Sequence, residues 1–152
     1  MHYIKYLLLL TLLSLQLHAV NVLVDTTGFT PPYYTFSIDD GTDFDFTNEG
    51  SDSLTVGVAY TFIGNNLSHP FRMYLTDSSG TETDLISNLS FRLSQTFTLD
   101  PSVDYSSYTG IYICNSHPFM VGTFNISPVP EPSSYALLLG GLALLLVVLN
   151  RR

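Results

Sequence analysis

Apolar and polar positions change rhythm twice along this chain. Residues 6–17 run almost unbroken through leucine, and 135–149 do the same near the other end. Between them the apolar residues come in short runs, "YYTFSI", "SLTVGVAYTFI", "FRMYL", "SFRLSQTFTL", "GIYIC" and "VGTFNI". No intervening segment holds a helical period for a dozen residues. Val, Ile, Tyr, Phe and Thr dominate the runs, while Gly, Asn, Asp, Ser and Pro fill the gaps at "DDGTD", "NEGSD", "GNN", "DSSGTETD" and "DPSVD". That alternation of strand formers and turn formers predicts strands at Tyr33–Ile38, Leu54–Phe62, Phe71–Leu75, Ser90–Leu99, Gly110–Cys114 and Val121–Ile126. Short strands with irregular connections, in a segment of this size, predict an all-β fold, an antiparallel β-sandwich.

The two leucine-rich runs differ in kind. In "MHYIKYLLLLTLLSLQLHA" a lysine precedes a short apolar stretch that closes on a small residue, the layout of a secretory signal peptide, residues 1–19, with cleavage expected between Ala19 and Val20. At the other end, "PVPEPSSYALLLGGLALLLVVLNRR" passes from a proline-serine linker to an apolar helix, 135–149, and then to Arg151 and Arg152. The run is short for a bilayer but can insert as a transmembrane helix with the arginines cytoplasmic. Pro130-Glu131-Pro132, the helix and the paired arginines, in that order over 129–152, resemble the PEP-CTERM sorting signal of Gram-negative bacteria. The resemblance implies cutting by an exosortase-type membrane protease after export, then delivery to the cell surface or extracellular matrix. The working domain is then 20–128.

Charge narrows the partners. Twelve of the thirteen acidic residues fall in that domain, against Arg72 and Arg92. Such a balance excludes nucleic acid and suits solubility outside the cell or docking to a cationic protein. The acidic loop Asp39, Asp40, Asp43 and Asp45 lacks the ligand spacing of a calcium loop and reads as a solvated turn. Nucleophile-base pairs and phosphate loops are missing from the pattern, so the chain is not read as an enzyme.

Within 20–128 the soft ligands are few and clustered. "YTFIGNNLSHPFRMY" carries His69, and "IYICNSHPFMVGTFNI" carries Cys114, His117 and Met120. Two imidazoles, a thiolate and a thioether form the ligand set of a mononuclear copper electron-transfer site. Cys114 closes a predicted strand, "NS" turns the chain to His117, and Met120 opens the return strand, so all three face one end of the sandwich. A lone thiol in an oxidising compartment is protected by ligation. Met73 is assigned to the core, and Phe71 and Phe119 to packing around the site. The residues leave open a copper ion, another metal such as zinc, or no metal at all.

The two segments resemble those of the cupredoxins: an aromatic, Cys, two residues, His, a short gap, Met and a last strand, with an earlier strand ending in Asn-Asn before the first histidine. The His-to-Met gap, Pro118-Phe119, is shorter than in plastocyanins. The resemblance implies a Greek-key sandwich with one copper, held in plane by His69, Cys114 and His117 and axially by Met120. It implies electron transfer with a redox partner, or copper handling. The alternative is a metal-free structural protein of the cell surface that uses the fold as a scaffold.

Overall fold

The computed structural model describes residues 19–128, 138–142 and 146. Residues 1–18 of the leader expected at 1–19 and most of the apolar segment 135–149 lie outside the described residues. Residues 138–142 and 146 are helical, and among the described residues no helix is long and apolar enough to cross a membrane.

Ten strands occupy the described residues: β1 Val20–Thr26, β2 Tyr34–Ile38, β3 Leu54–Thr55, β4 Ala59–Asn66, β5 Phe71–Thr76, β6 Glu82–Leu89, β7 Ser94–Thr98, β8 Thr109–Cys114, β9 Val121–Phe124 and β10 Ile126–Ser127. One sheet has the order β2-β1-β4-β7 and the other β6-β5-β8-β9, with β10-β3 as a separate pair. Successive side chains of a strand point to opposite faces, so every second residue can be apolar and inward. Val22 and Val24 of β1, Tyr60 and Phe62 of β4, and Phe71, Met73 and Leu75 of β5 follow this rule and are buried. On β8 the inward set is Gly110, Tyr112 and Cys114. Aromatic rings join the sheets: Phe36 lies 5.8 Å from Phe71 and Phe62 stacks on Phe71 at 6.1 Å between centroids. Each such side chain contributes about 1.5–3 kcal/mol by leaving water.

The sandwich is all-β, but its pairing is mixed rather than wholly antiparallel. β1 runs parallel to β4, and β10 parallel to β3. Two strands lie where no strand is expected from the sequence. β1 follows closely on the leucine-rich run 6–17, which hides its alternation. β6 is a largely exposed edge strand with Ile86 and Leu89 as its fully buried residues, and two register shifts against β5 break its period. Arg72 of β5 pairs there with Glu82 and Asp84 at 2.8 and 2.7 Å.

Boundaries also move. The expected strand Leu54–Phe62 is two, because Gly57 takes φ 80° and the chain turns from β3 into β4. The expected strand from Ser90 begins at Ser94: Arg92 sits at φ 64°, in a turn closed by Leu93 N–H on the Ser90 carbonyl. Val121–Ile126 breaks at Asn125, whose carbonyl accepts from Leu54 N–H at 2.9 Å.

The path between sheets sets up the site. β4 hands the chain across to β5, which pairs with both β6 and β8, and β8 returns from the far sheet to lie antiparallel beside β5. Phe71, the first residue of β5, is thereby opposite Cys114, the last of β8.

Candidate metal centre

Three short segments meet at this end of the sandwich. The first is the β4–β5 connection carrying His69. The Asp25 carboxylate of β1 takes the Asn66 N–H at 2.9 Å and the Asn65 side-chain amide at 3.0 Å, where the β1–β4 register shifts. That pair of bonds fixes how the chain leaves β4, and it gives the Asn-Asn before His69 a structural use. The second is the loop from Cys114 to Met120. His117 N–H donates to the Cys114 carbonyl at 3.3 Å, Met120 N–H to the His117 carbonyl at 2.9 Å, and Cys114 N–H to the Met120 carbonyl at 3.0 Å. Asn115 N–H reaches the Pro70 carbonyl at 2.9 Å, and its side chain donates to the Ser87 carbonyl at 3.0 Å. The Cys–Met loop is thus bolted to the residue after His69 and to β6.

The third segment, the β1–β2 loop, brings Phe29. Its ring stands edge-on to His69 at 4.7 Å and to His117 at 5.2 Å, with Phe119 at 6.1 Å. Phe119 in turn lies 5.7 Å from His117. Both phenylalanines are more than half exposed, so they shield the imidazoles from the solvent side.

His69 Nδ1 lies 3.1 Å from His117 Nδ1, and Cys114 Sγ lies 3.6 Å from His117 Nδ1. The ligand atoms of all three residues fall within 4.8 Å of one another. Nitrogen and sulfur donors about 2.0–2.3 Å from one ion stand roughly 3–4 Å apart. Two of the trio's separations fall in that range and the third pair lies within 4.8 Å, and the donor set is soft. Cys114 is 1 % exposed and pairs with no other cysteine. Met120 is fully buried in the same apolar cluster as Cys114 and ends the loop one residue before β9.

Close to Cys114 sits Tyr34, almost fully buried, with its hydroxyl 3.5 Å from the His69 carbonyl and 3.4 Å from the Pro70 carbonyl. Burial first, then the nearby Cys114, push its phenol far above the ordinary range, so it stays a proton donor. Phe71 packs on Tyr34 at 5.1 Å, below the trio rather than around its rings. Met73 is a core residue, as the sequence predicts.

Of the residues singled out in the sequence, His69, Cys114 and His117 come together. Phe29, Tyr34 and Asn115 complete the surroundings and carry no sequence signal of metal chemistry: one is an apolar residue in a turn, one an alternating strand residue and one a turn former. The acidic loop is occupied by its own turns, with Thr42 N–H on the Asp40 carboxylate at 2.8 Å and Thr47 N–H on that of Asp45 at 3.2 Å.

No curated protein matches the chain. Among solved structures it is similar to a reduced amicyanin variant, at 21% identity and TM-score 0.34, and to the reduced Cu(I) form at pH 4 of another amicyanin variant, at 20% and 0.35. Each alignment covers 49% of this chain and 67% of that one. Residues 128–152 match the PEP-CTERM protein-sorting motif. The chain therefore carries a PEP-CTERM sorting signal behind a β-sandwich that gathers two histidines and a cysteine at one end.

Proposed function

We propose that this is an exported copper protein whose domain holds one ion through His69, Cys114 and His117, with Met120 as a fourth, axial ligand. The observation that carries the reading is the convergence of two Nδ1 atoms and one sulfur at 3.1 and 3.6 Å. Copper held by this ligand set supplies a one-electron Cu(I)/Cu(II) couple.

The chain's own part is to hold the donors still and dry. Cys114 closes a central strand paired on both sides, and the loop bonds fix His117 relative to it. Ligands locked by packing and outer hydrogen bonds move little when the charge between them changes. Tyr34 donates to the His69 and Pro70 carbonyls and so steadies the His69 segment, while Phe29 and Phe119 limit water above. The function that follows is electron transfer, or the holding and delivery of copper, rather than enzymatic turnover. A redox partner with a cationic face would complement the acidic domain.

The sorting motif supports export, processing by an exosortase-type protease and final residence at the cell surface or matrix. In that scheme the segment 135–149 anchors the chain in the inner membrane before processing. A metal-free surface scaffold is the competing reading; it gives no reason for two imidazole nitrogens to approach a buried thiol.

Competition against a Cu(I) chelator tests the proposal. One tightly bound Cu(I) per chain is expected, lost in Cys114→Ser and in the His69→Ala/His117→Ala double variant. Equal, weak binding in all three proteins would return the chain to the scaffold reading.

A further inference from the structure

A groove of about 480 Å³ lies at the end of the sandwich opposite the metal centre. Val56, Pro101, Val103, Tyr105, Ile126 and Pro128 give it an apolar lining, and Val103 is 37 % exposed. One wall is the β7–β8 connection, where Tyr105–Ser107 make a single 3₁₀ turn. The other is β10 with the proline that follows it. Polar groups on the rim answer each other, since Ser106 N–H donates to the Asp104 carboxylate at 3.0 Å. The position of the groove follows from β4. That strand starts beside Gly57, whose N–H donates to the Leu99 carbonyl at 2.9 Å, and it ends at Asn66 beside the metal centre.

Where the chain goes next identifies the occupant. Val56 N–H donates to the Ser127 carbonyl at 3.0 Å, and the Thr55 and Ser127 hydroxyls meet at 3.1 Å. The backbone is thus held at the groove as far as Pro128, which is itself on the wall. Val129, Pro130, Glu131 and Pro132 follow, so proline stands at every second position from 128 to 132. Proline fixes its own φ and keeps the residue before it out of the helical region, so such a run has little freedom to lose on docking. Proline-rich segments seat in grooves lined by aromatic and apolar side chains.

Tyr105 supplies a second match. Its hydroxyl oxygen accepts the Asp100 N–H at 2.9 Å, and its own proton meets no acceptor among the described residues. A proline-spaced segment is poor in N–H donors and keeps all its carbonyls, the complement of that O–H. We propose that in the uncut chain this groove holds the segment Val129–Pro132. Pro130 lies against Val103 and the Tyr105 ring, and a carbonyl of the segment accepts the Tyr105 O–H. Two extended residues, about 7 Å, carry the chain from Pro128 to Pro130, and strand-like alternation turns Glu131 toward water. The sorting motif then rests on the folded domain. The eight residues of β4 put the metal centre about 25 Å away, facing away from the sorting segment whatever ion it takes.

The test is NMR of the uncut full chain in detergent, joined to limited proteolysis. Cross-relaxation is expected from the Pro130 ring protons to the Val103 methyls and the Tyr105 ring, and it should vanish in Pro130→Gly/Pro132→Gly. A proline-specific endopeptidase should cut the segment at least about tenfold faster in Val103→Asp than in the parent, because cutting tracks the undocked fraction. That variant changes a part-exposed side chain and should melt like the parent. The proposal is overturned if the parent shows no such cross-relaxation, or if Val103→Asp melts like the parent and is cut at the parent's rate. Cross-relaxation found only between differently labelled chains also overturns it, and gives the groove to a second copy.

Discussion

His69 Nδ1 and His117 Nδ1 face each other at 3.1 Å, beside the buried sulfur of Cys114. Two imidazole nitrogens can stand so close only with a hydrogen or a cation between their lone pairs. In the metal-free protein, one ring is therefore expected to carry its proton on Nδ1 and donate it to the other. With Cu(I) or Zn²⁺ added, both rings should become Nε2–H tautomers. Imidazole ¹⁵N shifts read this directly. Two Nε2–H rings in the metal-free protein, unchanged on adding metal, would mean that the nitrogens do not share a ligand.

Phe29 is 57 % exposed yet stands against both imidazoles. Phe29→Ala removes little buried surface, so its stability cost should stay under about 1 kcal/mol. It should nevertheless speed metal loss to a competing chelator by roughly tenfold, because the solvent side of both rings opens. A release rate equal to the parent's would assign Phe29 to packing alone.

Tyr34→Phe keeps the ring against Phe71 and deletes the hydroxyl beside the sulfur. The metal-free protein should lose about 1 kcal/mol of stability. The copper-loaded protein should move its visible band, since hydrogen bonding at the sulfur tunes such sites. A spectrum identical to the parent's would place the hydroxyl's contact with the Pro70 carbonyl first and the sulfur contact nowhere.

Acid should loosen the turns before the core. The Asp77 carboxyl is held below its ordinary 3.8, first by the Ser79 hydroxyl and then by the Thr81 N–H. Asp100 and Asp104 are lowered by the N–H and hydroxyl groups of Ser102 and Ser106. Carboxyls depressed by folding stabilise the native state above their unfolded value, and the contribution disappears as pH falls through the folded value. Melting temperature should thus hold near neutrality and decline once pH drops toward and below 3.8. Asp77→Asn/Asp100→Asn should make that acid decline shallower; an unchanged slope would remove these turns from the account.

The convergence of His69, Cys114 and His117 was legible because soft ligands are scarce: with so few histidines and a single cysteine in the domain, scarcity alone pairs His69 with the Cys114–His117 loop. The strands that build its floor were legible too, since Phe71, Met73 and Leu75 alternate inward. β6 was not. "ETDLISNL" is largely polar because most of its length faces water, and its bulges against β5 spoil the two-residue period. Phe29 was hidden for the opposite reason. An exposed apolar residue in a Gly-Pro turn has no periodic signal, and its partners lie forty and more residues away. The parallel pairing of β1 with β4 is a tertiary outcome that no local pattern records.

The central claim is that a thiolate and two imidazoles share one copper ion. A visible absorption titration of the protein with Cu(II), beside Cys114→Ser, tests it most directly. The account predicts an intense sulfur-to-copper band that saturates at one ion per chain and vanishes in the variant. No band in the parent, or the same weak spectrum in both proteins, would contradict it.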